Sequence, residues 1–184
     1  WYGDHRDLHS FPTRRSSDLS YFEAIRKYSS LTFYRSIKTE NYFEKYLSCI
    51  DIQVYRISIS QFRCSGHTLM ISEGRKFNIS RHERLCPLCI VPVVEDEYHF
   101  CMICPFYMDL REDILPLYYW KYPSRNKCSQ LFSSNNHTLI KQLSKYIFLA
   151  QKKRQKVFKA VKLLPWILMN VYHVHRCVVL TCVS

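Results

Sequence analysis

Glycine is almost missing from this chain, with three in 184 residues. A large sheet with its tight hairpins, or a loop whose backbone closes on a phosphate, would call for more. Neither G-x-x-x-x-G-K nor G-x-G-x-x-G occurs. No Y-x-D-D type aspartate cluster occurs either, so nucleotide polymerisation cannot reside here, and the chain is read as non-catalytic. Acid is scarce as well: 15 Asp and Glu stand against 27 Lys and Arg, a formal charge of +12. That imbalance favours polyanionic partners, either nucleic acid or an anionic membrane surface. The nine cysteines are odd in number and lack the spacing of a disulfide scaffold, and no signal peptide is in view. The expectation is a reducing compartment, nuclear or cytoplasmic, with free or metal-bound thiols. The apolar tail, 163–184, is interrupted by Asn170, His173, His175 and Arg176. It falls short of the ~18 unbroken apolar residues of a membrane span.

What the chain does have is concentrated between Cys86 and Cys104, which read C-P-L-C-I-V-P-V-V-E-D-E-Y-H-F-C-M-I-C. Cys86 and Cys89 form a C-x₂-C, and His99 and Cys104 an H-x₄-C. Three sulfurs and one imidazole nitrogen make a closed tetrahedral set, so one structural Zn2+ is expected, with no open position for catalysis. Cys101 could stand in for His99 or Cys104. Cys104 is preferred because Pro105 follows it: proline suits a first helical position, and a helix N-terminus favours a thiolate. Glu95 and Glu97 are near enough in sequence to accept a hydrogen bond from the free nitrogen of His99. The competing reading is a set of buried free cysteines beside an unrelated histidine. Four ligands in one short loop weigh against it.

The run R-L-C-P-L-C, then V-E-D-E-Y-H-F, then C-P-F-Y resembles the zinc-binding C-terminal module of non-LTR (LINE-type) retrotransposon reverse transcriptase proteins. The pattern C-x₂-C, an acidic pair, H-x₄-C-P and a helix falls on Cys86, Cys89, Glu95, Asp96, His99, Cys104 and Pro105. F-R-C-S-G-H-T-L and E-G-R, between Phe62 and Arg75, are similar to the lead-in of such proteins. The likeness spans residues 21 to 160 or so and is specific only at the loop, where Cys101 replaces the usual apolar residue. It implies a module that holds RNA template or target DNA through phosphates, with an upstream reverse transcriptase domain as a further partner.

A second resemblance concerns residues 1–19. From Tyr2 to Leu19 the chain back-translates in one frame to a string resembling a common short-read sequencing adapter, and only Trp1 departs. This stretch is expected to be an artefact and disordered, with the true N-terminus missing. It carries Asp4, Asp7 and Asp18 against Arg6, Arg14 and Arg15, so the charge argument survives without it.

Residues 20–85 read as a helical lead-in. Ser20-x-x-Glu23 is a capping box before Ala24, Ile25, Tyr28 and Leu31. Thr39 is a cap for Tyr42, Phe43, Tyr46 and Leu47. Asp51 is a cap for Ile52, Tyr55, Ile59 and Phe62, with Gly66 as the stop. The β-branched content of that last segment leaves a strand open. Loop 86–104 follows, then a helical region, 105–162. In it Phe106, Leu110 and Ile114 share a face, and 117–136 is looser. A long helix from His137 carries the seam Ile140, Leu143, Ile147, Ala150, Val157 and Val161. Eight positive charges and no acid lie between Lys141 and Lys162. The tail, 163–184, is unassigned, its His173, His175, Cys177 and Cys182 reading as incidental.

The expected fold is mainly α, a small helical domain built around one zinc-knuckle loop with flexible or disordered ends. Phosphate contacts are expected from Arg63, Arg75, Arg81, Arg84, Lys152, Lys153 and Arg154. The bland reading of each is a solvated surface. The alternatives for function are a protein-interaction zinc module, or a retroelement fragment without function. A cross-braced RING is disfavoured, since it needs eight ligands and one quartet is present.

Overall fold

The computed structural model describes residues 14–38, 41 and 43–162, with side chains from Ser20 to Ala160. The suspected adapter stretch before Arg14, the cap at Thr39 and the tail lie outside the described residues. Among those described, nine α-helices and no strand are present. They are α1 (Arg14–Arg26), α2 (Thr32–Ile37), α3 (Lys45–Cys49), α4 (Gln53–Arg63), α5 (Met70–Lys76), α6 (Met108–Ile114), α7 (Leu117–Trp120), α8 (Arg125–Ser133) and α9 (His137–Lys162). The fold is mainly α, as the sequence predicts. No helix among the described residues is long and apolar enough to cross a membrane.

α9 is the beam on which the rest is hung. Asn136 starts it, its side-chain oxygen accepting from the amides of Thr138 at 2.9 Å and Leu139 at 3.2 Å. Its buried stripe runs Leu139, Leu143, Tyr146, Ile147, Ala150 and Arg154, at helical spacing. α3, α4, α6 and α8 pack along it. Ile59 and Phe62 of α4 are buried there, and the helix reading of this segment prevails over the strand. Phe62 lies 5.2 Å from Phe100 and 5.8 Å from Phe132, and Phe100 lies 4.6 Å from Tyr107, centroid to centroid. This aromatic chain carries the core from α4 to the residues that flank the cysteine loop.

Several boundaries differ from expectation for local reasons. α1 starts at Arg14, so Ser20 lies inside the helix rather than capping it, and the backbone of 14–19 is helical. Asp51 caps nothing, because Ile52 holds the cap position and the Asp51 carboxylate pairs with Lys141 at 2.7 Å. α4 ends at Arg63, and the residue that turns the chain away is Ser65, not Gly66. Ser65 takes the left-handed conformation (φ 58°), and its hydroxyl donates to the Ser30 carbonyl at 2.6 Å, which fixes it there. The looser region, 117–136, holds two helices, and Ser124 caps the second by accepting from the Lys127 amide at 3.2 Å.

Candidate metal centre

Two pieces of backbone bring the four candidate ligands together. Leu85 and Val94 form an antiparallel bridge, with the Cys86 amide donating to the Val93 carbonyl and the Glu95 amide to the Arg84 carbonyl, both at 2.9 Å. This pins the ends of the loop carrying Cys86 and Cys89. The second piece is a π-turn, His99–Ile103, closed by the Cys104 amide donating to the His99 carbonyl at 2.8 Å. In an α-helix, positions five apart point about 140° away from each other. The wider turn brings His99 and Cys104 to the same side, and such turns are frequent at functional sites. Pro105 then opens a 3₁₀ turn leading into α6.

The result is one cluster of Cys86, Cys89, His99 and Cys104, whose ligand atoms all lie within 4.8 Å of one another and could hold a metal ion. Cys86 Sγ is 3.9 Å from Cys104 Sγ, and Cys89 Sγ is 3.5 Å from His99 Nε2. A zinc tetrahedron has metal–sulfur bonds of about 2.3 Å and metal–nitrogen bonds of about 2.0 Å. Its edges are then about 3.8 Å between sulfurs and about 3.6 Å from sulfur to nitrogen, close to the Cys86–Cys104 and Cys89–His99 distances. Cys101 is outside the cluster, fully buried among apolar neighbours that push its thiol well above the ordinary range.

Negative charge gathers on one sulfur. Hydrogen bonding from the Cys104 thiol, assisted by His99, the Leu88 amide and Cys89, draws the Cys86 thiol down to about 3 against the cost of burial. Burial and the Cys86 sulfur push Cys89 up to about 11, and the Cys86 contact, burial and charge drive Cys104 higher still. All three ionise together only when a cation stands among them.

Glu95 and Glu97 do not serve His99 in the expected way. Glu95 faces Cys86, its Oε1 3.7 Å from the sulfur, and is gripped by both terminal nitrogens of Arg154 and by the Met70 amide at 2.7 Å. Glu97 turns to His67, Oε1 to Nε2 3.1 Å. Asp96 is the acid that holds His99, accepting from its backbone amide at 2.8 Å, while the ring Nδ1 is buried with no hydrogen-bond partner. The bridge at Val94 and the helical turn starting at Glu97 aim both glutamates inward, away from the imidazole.

Four of the seven residues expected to meet phosphate are engaged by the fold itself, Arg63 and Arg154 buried, Arg84 and Lys153 partly exposed. Arg63 is buried, donating to the Phe132 carbonyl at 2.7 Å and to Glu44 at 2.9 Å, because the side of α4 that looked polar is covered by the segment carrying Glu44 and by α8. Arg154 belongs to the buried stripe of α9. Arg84 lies across Gly74, where an added Cβ would meet its Cγ at 2.7 Å, and its guanidinium donates to the carbonyls of Ile71 and Ile79. Lys153 bonds Asp109 and the Phe106 carbonyl. Arg75, Arg81 and Lys152 have no acidic partner among the described residues.

Arg111 is the residue that sequence reasoning missed. It is fully buried without an acidic partner, and its guanidinium donates to the carbonyls of Phe100 and Cys104. The π-turn leaves the Phe100 carbonyl without its α-helical partner, and Tyr146 joins Arg111 there at 2.9 Å. The available signal was its register: position 111 lies between Leu110 and Ile114 on a helix just after the last cysteine. Set against known protein families, curated proteins and solved structures, the chain gives no significant match in any of the three.

Proposed function

We propose that this is a non-catalytic, zinc-stabilised module that binds nucleic acid through phosphates, and that the ion at the cysteine cluster is one structural Zn2+. The observation that carries the reading is a stripe of lysines on α9. Lys141, Lys145, Lys152, Lys156 and Lys159 are all exposed. At 3.6 residues per turn they fall within about 60° of one another, on the face opposite the buried seam, along about 27 Å of helix. Only Lys141 has an acidic partner among the described residues, Asp51. Four unpaired like charges in line suit a phosphate backbone better than an alternating surface would. The C-x₂-C…H-x₄-C-P resemblance to the zinc-binding module of non-LTR retrotransposon proteins supports the same reading and suggests a reverse transcriptase domain as a further partner.

One observation favours a protein-interaction module instead. The tip of the cysteine loop bares Ile90, fully exposed, with Val91 and Val93 beside it. A filter-binding titration of single-stranded RNA and duplex DNA at two salt concentrations separates the readings. Salt-sensitive binding with little sequence preference is expected. If the zinc-loaded protein binds neither at low salt, the nucleic-acid reading is wrong and the lysines are only a solvated helix face.

A further inference from the structure

A groove of about 180 Å³ opens behind the metal loop, between α2, α5, α8 and the segment 96–98. Three arginines converge on it from separate elements: Arg75 from α5, Arg81 from the turn after it, and Arg125 from the first turn of α8. Arg75 and Arg81 have no acidic partner among the described residues, and Arg81 is exposed. Arg125 lies over the Tyr98 ring at 4.8 Å, its guanidinium also 3.2 Å from Asp96, while its side chain stays 71% exposed. Phe33 and the Tyr98 ring supply apolar wall. The carboxylates of Asp96 and Glu97 line the floor, but both are buried and engaged, Asp96 with the His99 amide and Arg125, Glu97 with His67.

We infer that this groove receives one unpaired nucleotide of a single-stranded nucleic acid, with its phosphate on Arg75 and Arg81 and its base against the Arg125–Tyr98 pair. Guanidinium forks match phosphate oxygens, and a flat cation stacked on an aromatic ring offers any base a π-face. A recess admits a splayed nucleotide, whereas a rigid duplex touches only convex ground. Asp96 joins this groove to the metal centre, since one of its oxygens holds the His99 amide and the other holds Arg125. Ordering of the loop by metal therefore orders the groove floor. The inference rests on the nucleic-acid reading above and adds to it a site and a preference for unpaired strands.

The test is fluorescence anisotropy with the full chain and a labelled oligouridylate, run beside a duplex of mixed sequence. Tighter binding of the single strand is expected. Arg75→Gln, Arg81→Gln and Arg125→Gln should each weaken it about five- to tenfold; the first two should also lower the log–log salt slope by up to about 0.7, whereas Arg125→Gln should leave the slope unchanged, with duplex binding little changed throughout. Arg125→Lys keeps the charge but not the flat stack, and should bind as weakly as Arg125→Gln, whereas full affinity in this variant would show that charge alone acts there. Unchanged metal content and helical signal in each variant exclude loss of fold, since all three side chains lie at the surface of the groove. If the groove variants bind as the parent does while Lys-to-Gln changes on α9 abolish binding, the groove assignment falls and the nucleic-acid reading stands. If the parent binds no strand at low salt, both fall.

Discussion

Arg154 reaches from α9 to Glu95 in a two-pronged ion pair, one prong at 3.0 Å, and Glu95 in turn faces the Cys86 sulfur. The side chains are 3% and 1% exposed. Arg154 also donates to the Thr68 carbonyl at 3.1 Å, so one guanidinium ties together the long helix, the entry to α5 and the metal loop.

Breaking that pair from one side strands a buried charge. Arg154→Met is expected to destabilise the protein by about 3–5 kcal/mol in denaturant titration, and Glu95→Gln by a similar order. The double variant should be less damaging than the sum of the two, because it leaves no lone charge. Strict additivity would show that the two residues act separately.

Metal analysis should find one zinc per chain. Cys86→Ser should lose it and unfold the loop, since structural zinc contributes roughly 10–16 kcal/mol in small peptides. Cys101→Ser should retain it, because Cys101 lies outside the cluster. Retention in the first and loss in the second would reverse the ligand assignment. A chelator should lower the melting temperature of the parent.

Arg111→Met removes a buried positive charge and the two hydrogen bonds across the π-turn. It should weaken metal affinity about 10- to 100-fold in chelator competition while the metal-loaded form keeps its helix content. Unaltered affinity would make Arg111 a packing residue only.

Replacing Lys145, Lys152, Lys156 and Lys159 together by Gln should cut the salt slope of nucleic-acid binding by about 3, whatever the sequence bound. Arg154 does not belong in such a set, because its loss acts on the core. An unchanged slope would place the phosphate-binding residues elsewhere.

Lys153 bonds both oxygens of Asp109 and holds its carboxyl below the usual range. A lowered folded-state value means the pair stabilises above the unfolded value near 3.9, and that this is lost as pH falls through the folded value. The carboxylate is 65% exposed, so Asp109→Asn should cost under about 1 kcal/mol at neutral pH and nothing in strong acid. An equal cost at both pH values would assign the effect to packing.

Spacing decided the helical class and the long helix from His137, and spacing together with Pro105 after Cys104 singled out the quartet of Cys86, Cys89, His99 and Cys104. Those features rest on local periodicity and on short-range ligand geometry, which a sequence displays directly. What it could not display is which polar groups the fold would enclose. Arg154 follows Ala150 and Ile147 at helical spacing, yet its charge reads as surface until Glu95 is seen facing it across the core. Arg63 and Arg84 read as phosphate-binding until Glu44, Gly74 and the free carbonyls of Phe132, Ile71 and Ile79 are placed around them. The cost of burying a guanidinium is met by partners that the folded chain brings to it, so tertiary packing decided which cations serve the core and which remain for a ligand.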